Sequence, residues 1–329
     1  IKFMTKVLVT GANGLLATNT INELIENGYF VKALVRNKNK FILADKKNIE
    51  VVEGDITDYS SIEFAIKDCE FIIHTAAKTK QGLSNYHDYS NVNILGTENL
   101  FTAAIKNGVK KIVHVSTSNV FGFGTIVNPG NETIKIKKPF SDSLYVISKV
   151  NSQNLAFSFS DKIEIVVVNP TFIIGAYDQK PSSGRIILLG HNKKVIFYPP
   201  GGKNFVDVKD VAKGIVSALE IGKNKEAYIL SGENLSYIQF FRKLSMHSEK
   251  KPVFIKIPCF ILILIGAFGN LLKFLGIENE TTLTNMRILC VDNYYTNKKT
   301  KVALNIKFNG IDEAIGDAIK WFKTNGVIK

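Results

Sequence analysis

Residues 10–17 read Thr-Gly-Ala-Asn-Gly-Leu-Leu-Ala (TGANGLLA), set between the apolar run Val7-Leu8-Val9 and a segment of helical period that reaches Asn27 and stops at Gly28. Between a strand and a helix this spacing has a physical purpose. Gly11 permits the tight turn, Gly14 lets the backbone approach a diphosphate, and the unpaired N–H groups at the helix start attract its charge. Ala17 stands where a third glycine is common; a small side chain there suffices for close helix–strand packing. Gly11, Asn13 and Gly14 are therefore candidates for a dinucleotide-binding loop.

Outward from this loop, short apolar runs alternate with helical periods. Lys6–Thr10, Val31–Val35, Ile49–Glu53, Phe71–His74, Lys111–Val115 and Ile163–Val168 read as strands. Helices are expected near 15–27, 60–67, 89–106 and 144–159. Strands of continuous β-branched residues joined by helices predict an α/β fold, a doubly wound parallel sheet covered on both faces. After Pro170 the pattern loosens. Stretches 181–184 and 199–202 read as loops, followed by a helix near Val208–Leu219, a strand Ala227–Leu230 and a helix near Tyr237–Leu244. The last expected helix is Asp312–Lys323, with Asp312 as its cap. The expected division is a dinucleotide-binding domain over 1–170, to which 206–232 returns, and a smaller substrate-binding cap from 171–205 and 233–329.

At 329 residues, with 45% apolar and 22% charged residues, the composition is that of an ordinary globular protein. The net charge of +13 comes from scattered pairs such as Lys46-Lys47 and Lys193-Lys194. No block of like charge forms, so no nucleic-acid partner is expected; a basic surface suits an anionic cofactor or substrate. Cys69, Cys259 and Cys290 are odd in number and far apart. Their spacing suggests neither a disulfide framework nor a metal site, which predicts packing roles in a reducing, cytoplasmic compartment. No signal-peptide pattern opens the chain, and Met4 is expected to be the natural start.

One segment departs from this picture. Ile257 to Leu272 (IPCFILILIGAFGNLL) runs 16 residues without a charge between Lys256 and Lys273. That is short of the roughly 20 residues needed to span a bilayer. A buried helix of the cap is the first expectation, and peripheral contact with a membrane surface is the second.

Further motifs follow the loop in order: Gly54-Asp55-Ile56 with Asp58, His74-Thr75-Ala76-Ala77, Asn93 with Gly96-Thr97, Ser116-Thr117-Ser118, Tyr145-x-x-x-Lys149 and Asn169-Pro170-Thr171. Together with the G-x-x-G-x-x-A loop, this set resembles the extended branch of the short-chain dehydrogenase/reductase family over residues 4 to about 230. The tail is similar to the dihydroflavonol-reductase-like subgroup, which includes hopanoid-associated sugar epimerases. The resemblance implies a Rossmann-type sheet and a nicotinamide dinucleotide. It implies that the backbone of Leu15 and Leu16 meets the pyrophosphate and that Asp55 contacts the adenine, flanked by Ile56. Ala76 and Ala77 would line the path to the nicotinamide ribose with Asn93 nearby, and Pro170 would join the cofactor site.

The second strand ends Ala33-Leu34-Val35-Arg36. An acidic residue at this position accepts the 2′-hydroxyl of the adenosine ribose, whereas a guanidinium suits a 2′-phosphate. NADP is accordingly preferred, with NAD as the alternative.

Tyr145 and Lys149 lie four apart on a predicted helix, so both project from one face. A phenol titrating near 10 is a poor proton shuttle at neutral pH, and a neighbouring ammonium is expected to favour its phenolate. In the family the same lysine also holds the nicotinamide ribose. Aligning Val120-Phe121-Gly122 with the family's usual Val-Tyr-Gly makes Thr117 the hydroxyl partner in preference to Ser116 and Ser118. Ser118 and Asn119 stand where sugar-nucleotide 4,6-dehydratases carry Asp and Glu, which argues against elimination of water. His74, at a strand end without a partner motif, reads as a satisfied core histidine.

The expected function is an NAD(P)-dependent oxidoreductase that reduces a carbonyl, or oxidises a secondary alcohol, on a bulky or apolar small molecule. Thr117, Tyr145 and Lys149 are the catalytic candidates. A nucleotide-sugar epimerase with tightly bound NAD would use the same three residues, and a catalytically inactive dinucleotide-binding regulator is the remaining alternative. Arg185 is a candidate contact for a substrate anion. The chain is expected to act as a monomer or homodimer.

Overall fold

The computed structural model describes residues 4–44 and 46–328; any reading of residues 1–3 lies outside them. In chain order the elements are β1 (Lys6–Thr10), α1 (Leu15–Glu26), β2 (Phe30–Val35), β3 (Ile49–Glu53), α2 (Tyr59–Ile66), β4 (Phe71–His74), α3 (His87–Ser90), α4 (Gly96–Lys106), β5 (Lys111–Val115), α5 (Leu144–Ser158) and β6 (Glu164–Pro170). There follow β7 (Phe172–Ile174), α6 (Arg185–Gly190), β8 (Val195–Tyr198), β9 (Gly202–Asp207), α7 (Val208–Ile221), β10 (Glu226–Leu230), β11 (Glu233–Ser236) and α8 (Tyr237–Met246). The chain ends with β12 (Val253–Lys256), α9 (Cys259–Phe274), α10 (Leu283–Ile288), β13 (Asp292–Asn293), α11 (Lys298–Ala303) and α12 (Asp312–Thr324).

Seven strands form one parallel sheet in the order β10-β6-β5-β4-β1-β2-β3. Its central strands are buried along most of their length, which explains why they are continuous Val/Ile runs rather than alternating ones. Ile21 and Leu24 of α1 and Val211 and Ile215 of α7 pack on one face, against Val7, Val9, Val113 and Val166. Ile62 of α2, Leu100 and Phe101 of α4 and Ala156 of α5 cover the other, against Leu8, Ile72, Ile112 and Ile165. Strand order reverses between β1 and β4, and the carboxyl ends there open a crevice where such sheets bind ligands.

Beside this sheet, β9 pairs with β7, β11 and β13, and β8 forms a two-stranded parallel ribbon with β12. Phe205, Phe240, Ile315 and Phe322 anchor a separate core that joins these strands to α6, α8 and α12. The sequence reading gives 181–184 and 199–202 as loops and assigns no strand between 171 and 207. β7, β8 and β9 are only 3 to 6 residues long and are divided by Gly and Pro, so they leave no period to detect.

Other expectations need correcting. The helix expected over 89–106 is broken by a π-type turn at Asn91–Leu95. Asp312 is not the cap of α12: Ile311 takes that place, and the Asp312 carboxylate accepts a 2.6 Å hydrogen bond from Lys243 in the first turn. Cys259 and Cys290 form a disulfide, with Cα atoms 5.8 Å apart. They are 31 residues apart in the chain, and the hairpin of α9 and α10 brings them together. This removes the basis for inferring a reducing compartment from cysteine spacing. Cys69 is a buried free thiol whose pKa is pushed up to about 11 by burial. Finally, α9 is not a buried cap helix; it buries only Leu262, Gly266 and Gly269. Among the described residues, no helix is long and apolar enough to cross a membrane.

Candidate active site

The loop after β1 is shaped by contact with the segment after β4. Gly11 has φ +67°, and a Cβ on it would stand 2.8 Å from the Ala76 Cα. Both the conformation and the close approach require glycine. Gly14 caps α1 in extended backbone without a side chain to satisfy the helix start. The N–H groups of Leu15, Leu16 and Ala17 find no acceptor among the described residues, and the first turn holds no acid. The Asn13 side chain donates to the Asn37 carbonyl at 3.4 Å, while its Oδ1 is buried without a partner. Arg36, one residue beyond β2, is exposed and makes no ion pair among the described residues. Open donors and a side chain too small to obstruct fit a dinucleotide diphosphate, and Arg36 leaves a cation for an anion at the end of β2.

The next candidates divide between open and occupied groups. Asp55 Oδ1 accepts from the Thr57 N–H at 2.9 Å and its hydroxyl at 2.8 Å, so this oxygen shapes the turn. Its Oδ2 makes no hydrogen bond among the described residues. Ile56 is buried beneath Gly96, where a Cβ would fall 2.7 Å from its Cδ1. The Ile56 side chain is thus committed to the core, and its backbone is what remains for a ligand. Ala76 follows β4 and donates its N–H to the Thr10 hydroxyl at 3.2 Å. Asn93, turned inward at the π-type turn, accepts from the Lys78 N–H at 2.7 Å and donates to the Ser148 hydroxyl at 2.9 Å. That amide ties the segment after Ala77 to α5.

Lys149 and Tyr145 lie one turn apart on α5, which Ser143 caps through the Val146 N–H. Lys149 is buried and donates from Nζ to the Val115 carbonyl at 2.9 Å; burial pulls its pKa down to about 8. The Tyr145 phenol is pushed up to about 12, chiefly by burial and further by Tyr89, whose ring centroid lies 6.2 Å away. The Thr117 hydroxyl acts on it in the opposite sense. The expectation that Lys149 lowers the phenol is therefore not met: a strand carbonyl engages the ammonium, which does not figure among the groups acting on Tyr145.

Thr117 is also distinguished from its neighbours. The Ser118 hydroxyl serves the Tyr295 phenol, and Ser116 Oγ is buried without a partner. Asn169 holds the turn in place, donating to the Thr117 carbonyl at 3.0 Å and to Gln153 at 2.8 Å. Pro170 closes β6 in register with Leu230.

Beneath these residues His74 is the satisfied core histidine that the sequence suggests, within a network that the sequence does not show. His74 bonds Thr10 at 2.8 Å and Thr97 at 3.1 Å, and Ser152 links Thr97 to His114. Burial drives the pKa of His74 down to about 3, so it is a neutral core residue. Lys203 was also missed: it lies 4.7 Å from the centre of the Phe172 ring, with its pKa pulled down to about 8 by burial. Its signal was hidden in a Gly-rich stretch. Arg185 does not stand free; its guanidinium makes a two-pronged pair with Glu280 at 2.7 and 3.3 Å.

Comparison with known proteins agrees with this geometry. The model of the NAD dependent epimerase/dehydratase family matches residues 7–231. A Synechocystis protein provisionally named dihydroflavonol 4-reductase is 28% identical, over 98% of this chain and 95% of its own. Sterol demethylase protein B of Methylococcus capsulatus is 27% identical, over 98% of this chain and 99% of its own. Other relatives carry epimerase and dehydratase names. Among solved structures, gox2253 superposes with a TM-score of 0.85 at 29% identity, covering 98% of this chain and 99% of its own. The parallel sheet, the glycine loop at its switch point and the match across two-thirds of the sequence make this chain a member of the NAD dependent epimerase/dehydratase family, an NAD(P)-dependent enzyme of the extended short-chain dehydrogenase/reductase type.

Proposed function

We propose that the protein is an NADP-preferring reductase acting on a carbonyl of a bulky, apolar small molecule. The observation that carries this reading is the Tyr145 phenol beside Thr117, protonated at neutral pH as an ordinary phenol is and kept further from ionising by burial. A resting acid is the form that reduction needs, because the carbonyl oxygen must gain a proton as it gains electron density. The bound dinucleotide supplies the hydride. Thr117 donates a hydrogen bond to the substrate oxygen and fixes its distance from the phenol. Tyr145 then delivers the proton to that oxygen. Lys149 holds α5 against β5 through its bond to the Val115 carbonyl, which fixes the helix that carries Tyr145.

The preference for NADP rests on Arg36, without an ion-pair partner among the described residues at the end of β2, where a 2′-phosphate gains a charge-assisted bond. The expectation of an apolar substrate does not come from α9, which faces outward. It rests on the two relatives matching over 98% of the chain, whose names refer to a flavonoid and a sterol. Arg185, neutralised by Glu280, gives no support to a nucleotide-diphosphate substrate.

The test is turnover of NADPH and of NADH with a panel of aryl and steroid ketones, beside the mass of any dinucleotide released from purified protein. The expected results are NADPH oxidation and little retained cofactor. Stoichiometric NAD retained through purification, with no ketone reduced, would replace this reading with an epimerase. Tyr145→Phe should keep dinucleotide binding and lose about 100-fold or more in turnover.

A further inference from the structure

Helix α9 is fastened by its narrow side. Gly266 and Gly269 let it lie against the α10 segment so closely that a Cβ on Gly266 would be 2.7 Å from the Leu283 Cα, and one on Gly269 would strike the Thr281 carbonyl. The Cys259–Cys290 disulfide pins its first residue, and Asn279 donates to the Gly269 carbonyl at 3.0 Å. At about 100° per residue, Phe260, Leu264, Phe268, Leu271 and Phe274 gather on the side opposite this seam. They are between 53 and 88% exposed. Ile261, Ile263 and Ile265 flank them, also exposed. The usual arrangement of a surface helix is thereby inverted, and a contiguous apolar face of this kind marks an interaction site.

The strand that leads into α9 continues the pattern. Parallel pairing of β8 with β12 puts Val195 beside Val253 and Phe197 beside Ile255, and all four are 42 to 62% exposed. The same register brings Lys193-Lys194 and Lys250-Lys251 to one end of the ribbon, with Lys256 at the other. All five are exposed, and none makes an ion pair among the described residues. Between Glu249 and Glu278 the chain carries four lysines and no acid. At 16 residues α9 is about 24 Å long, shorter than the ~30 Å hydrocarbon core, and it is fixed along its length to α10.

We propose that the outward face of α9, with the β8–β12 ribbon, docks in the plane of a bilayer surface rich in anionic phospholipid. Phe260, Leu264, Phe268, Leu271 and Phe274 enter the acyl boundary, and the lysines meet the headgroup phosphates. The docked helix is tied to the active site. Lys273 Nζ donates to the Leu83 carbonyl at 3.1 Å, the Leu83 N–H bonds the Tyr89 hydroxyl at 3.3 Å, and Tyr89 neighbours Tyr145. Docking therefore places the site beside the lipid from which an apolar substrate would enter. That last step rests on the reading of the substrate above; lipid binding itself does not.

The experiment is sedimentation of the full chain, without dinucleotide or substrate, with vesicles of phosphatidylcholine alone or mixed with phosphatidylglycerol. The expected result is pelleting with the anionic vesicles, weakened by salt. Phe260→Ser combined with Leu264→Ser and Phe268→Ser should lower the fraction bound about tenfold or more while leaving dinucleotide binding unchanged. The charge-reversed set Lys250→Glu, Lys251→Glu and Lys256→Glu, which leaves the helix intact, should lower binding to anionic vesicles in particular. Protein that stays in the supernatant with every vesicle overturns the proposal. So does a dimer in velocity sedimentation that the serine variant converts to monomer, because the face would then be an interface between two copies of this chain.

Discussion

Lys149 Nζ reaches the Val115 carbonyl oxygen at 2.9 Å, so the lysine of α5 is bonded to the last residue of β5, two residues before Thr117. Burial has drawn its pKa down to about 8, well inside the range where activity is measured. If the reaction needs the ammonium, kcat/KM is constant below that pH and falls about tenfold per unit above it. The limb belongs to Lys149 and not to Tyr145, whose phenol titrates near 12. The check is a profile of kcat/KM from pH 6 to about 10. Activity that stays level to the top of this range would mean that no ammonium titrating near 8 takes part in the chemistry.

Arg36 makes a sharper test of cofactor choice. Removing one charge-assisted hydrogen bond to a phosphate costs about 1.5–3 kcal/mol. Arg36→Ala should therefore raise the KM for NADPH roughly 10- to 100-fold and change that for NADH little. Fluorescence titration with both dinucleotides measures the difference directly. Equal loss for the two would mean that Arg36 does not meet the 2′-phosphate.

Gly11 combines two demands that alanine cannot meet, a left-handed φ of +67° and a Cβ position 2.8 Å from the Ala76 Cα. Gly11→Ala should lower stability by about 1–3 kcal/mol and weaken dinucleotide binding, because relief of the clash moves Ala76 and the loop apart. Thermal melts with and without NADPH separate the two effects. The shift in Tm on adding NADPH should shrink as well as the Tm itself.

These sites differ in how far the sequence revealed them. The parallel sheet was legible because strands buried on both faces must be apolar throughout, and β1, β3, β4 and β5 fall where the Val/Ile runs lie. Gly11, Thr117, Tyr145 and Lys149 were legible because their spacing is local or set by consecutive elements. What Lys149 does was not, since its partner Val115 lies 34 residues away and offers only a backbone oxygen. Arg185 and Glu280 are 95 residues apart, and no pattern announces their pairing. The Cys259–Cys290 bond depends on the α9–α10 hairpin, which the apolar run conceals. Composition gave α9 its greasiness but not its direction. Gly266 and Gly269, with Leu262, are the side that is buried.

His74 supplies the last prediction, one of stability rather than turnover. It is fully enclosed, bonded to Thr10 and Thr97, and its pKa in the folded protein is about 3 against 6.5 for an ordinary histidine. Between those values the unfolded chain binds a proton that the folded protein refuses. Stability from this group is therefore present at neutral pH and is lost as pH falls through about 6 toward 3, by up to ~1.4 kcal/mol per unit. His114, buried 5.3 Å away and shifted the same way, adds to the trend. His74→Gln abolishes one proton's share, so its urea-unfolding free energy should fall less steeply with pH than that of the native protein, whatever its value at pH 7. Acidic residues titrate in both proteins and cancel in the difference. Identical slopes between pH 6 and 4 would show that His74 takes up its proton in the folded state and that the Thr10–His74–Thr97 chain is not the neutral network described.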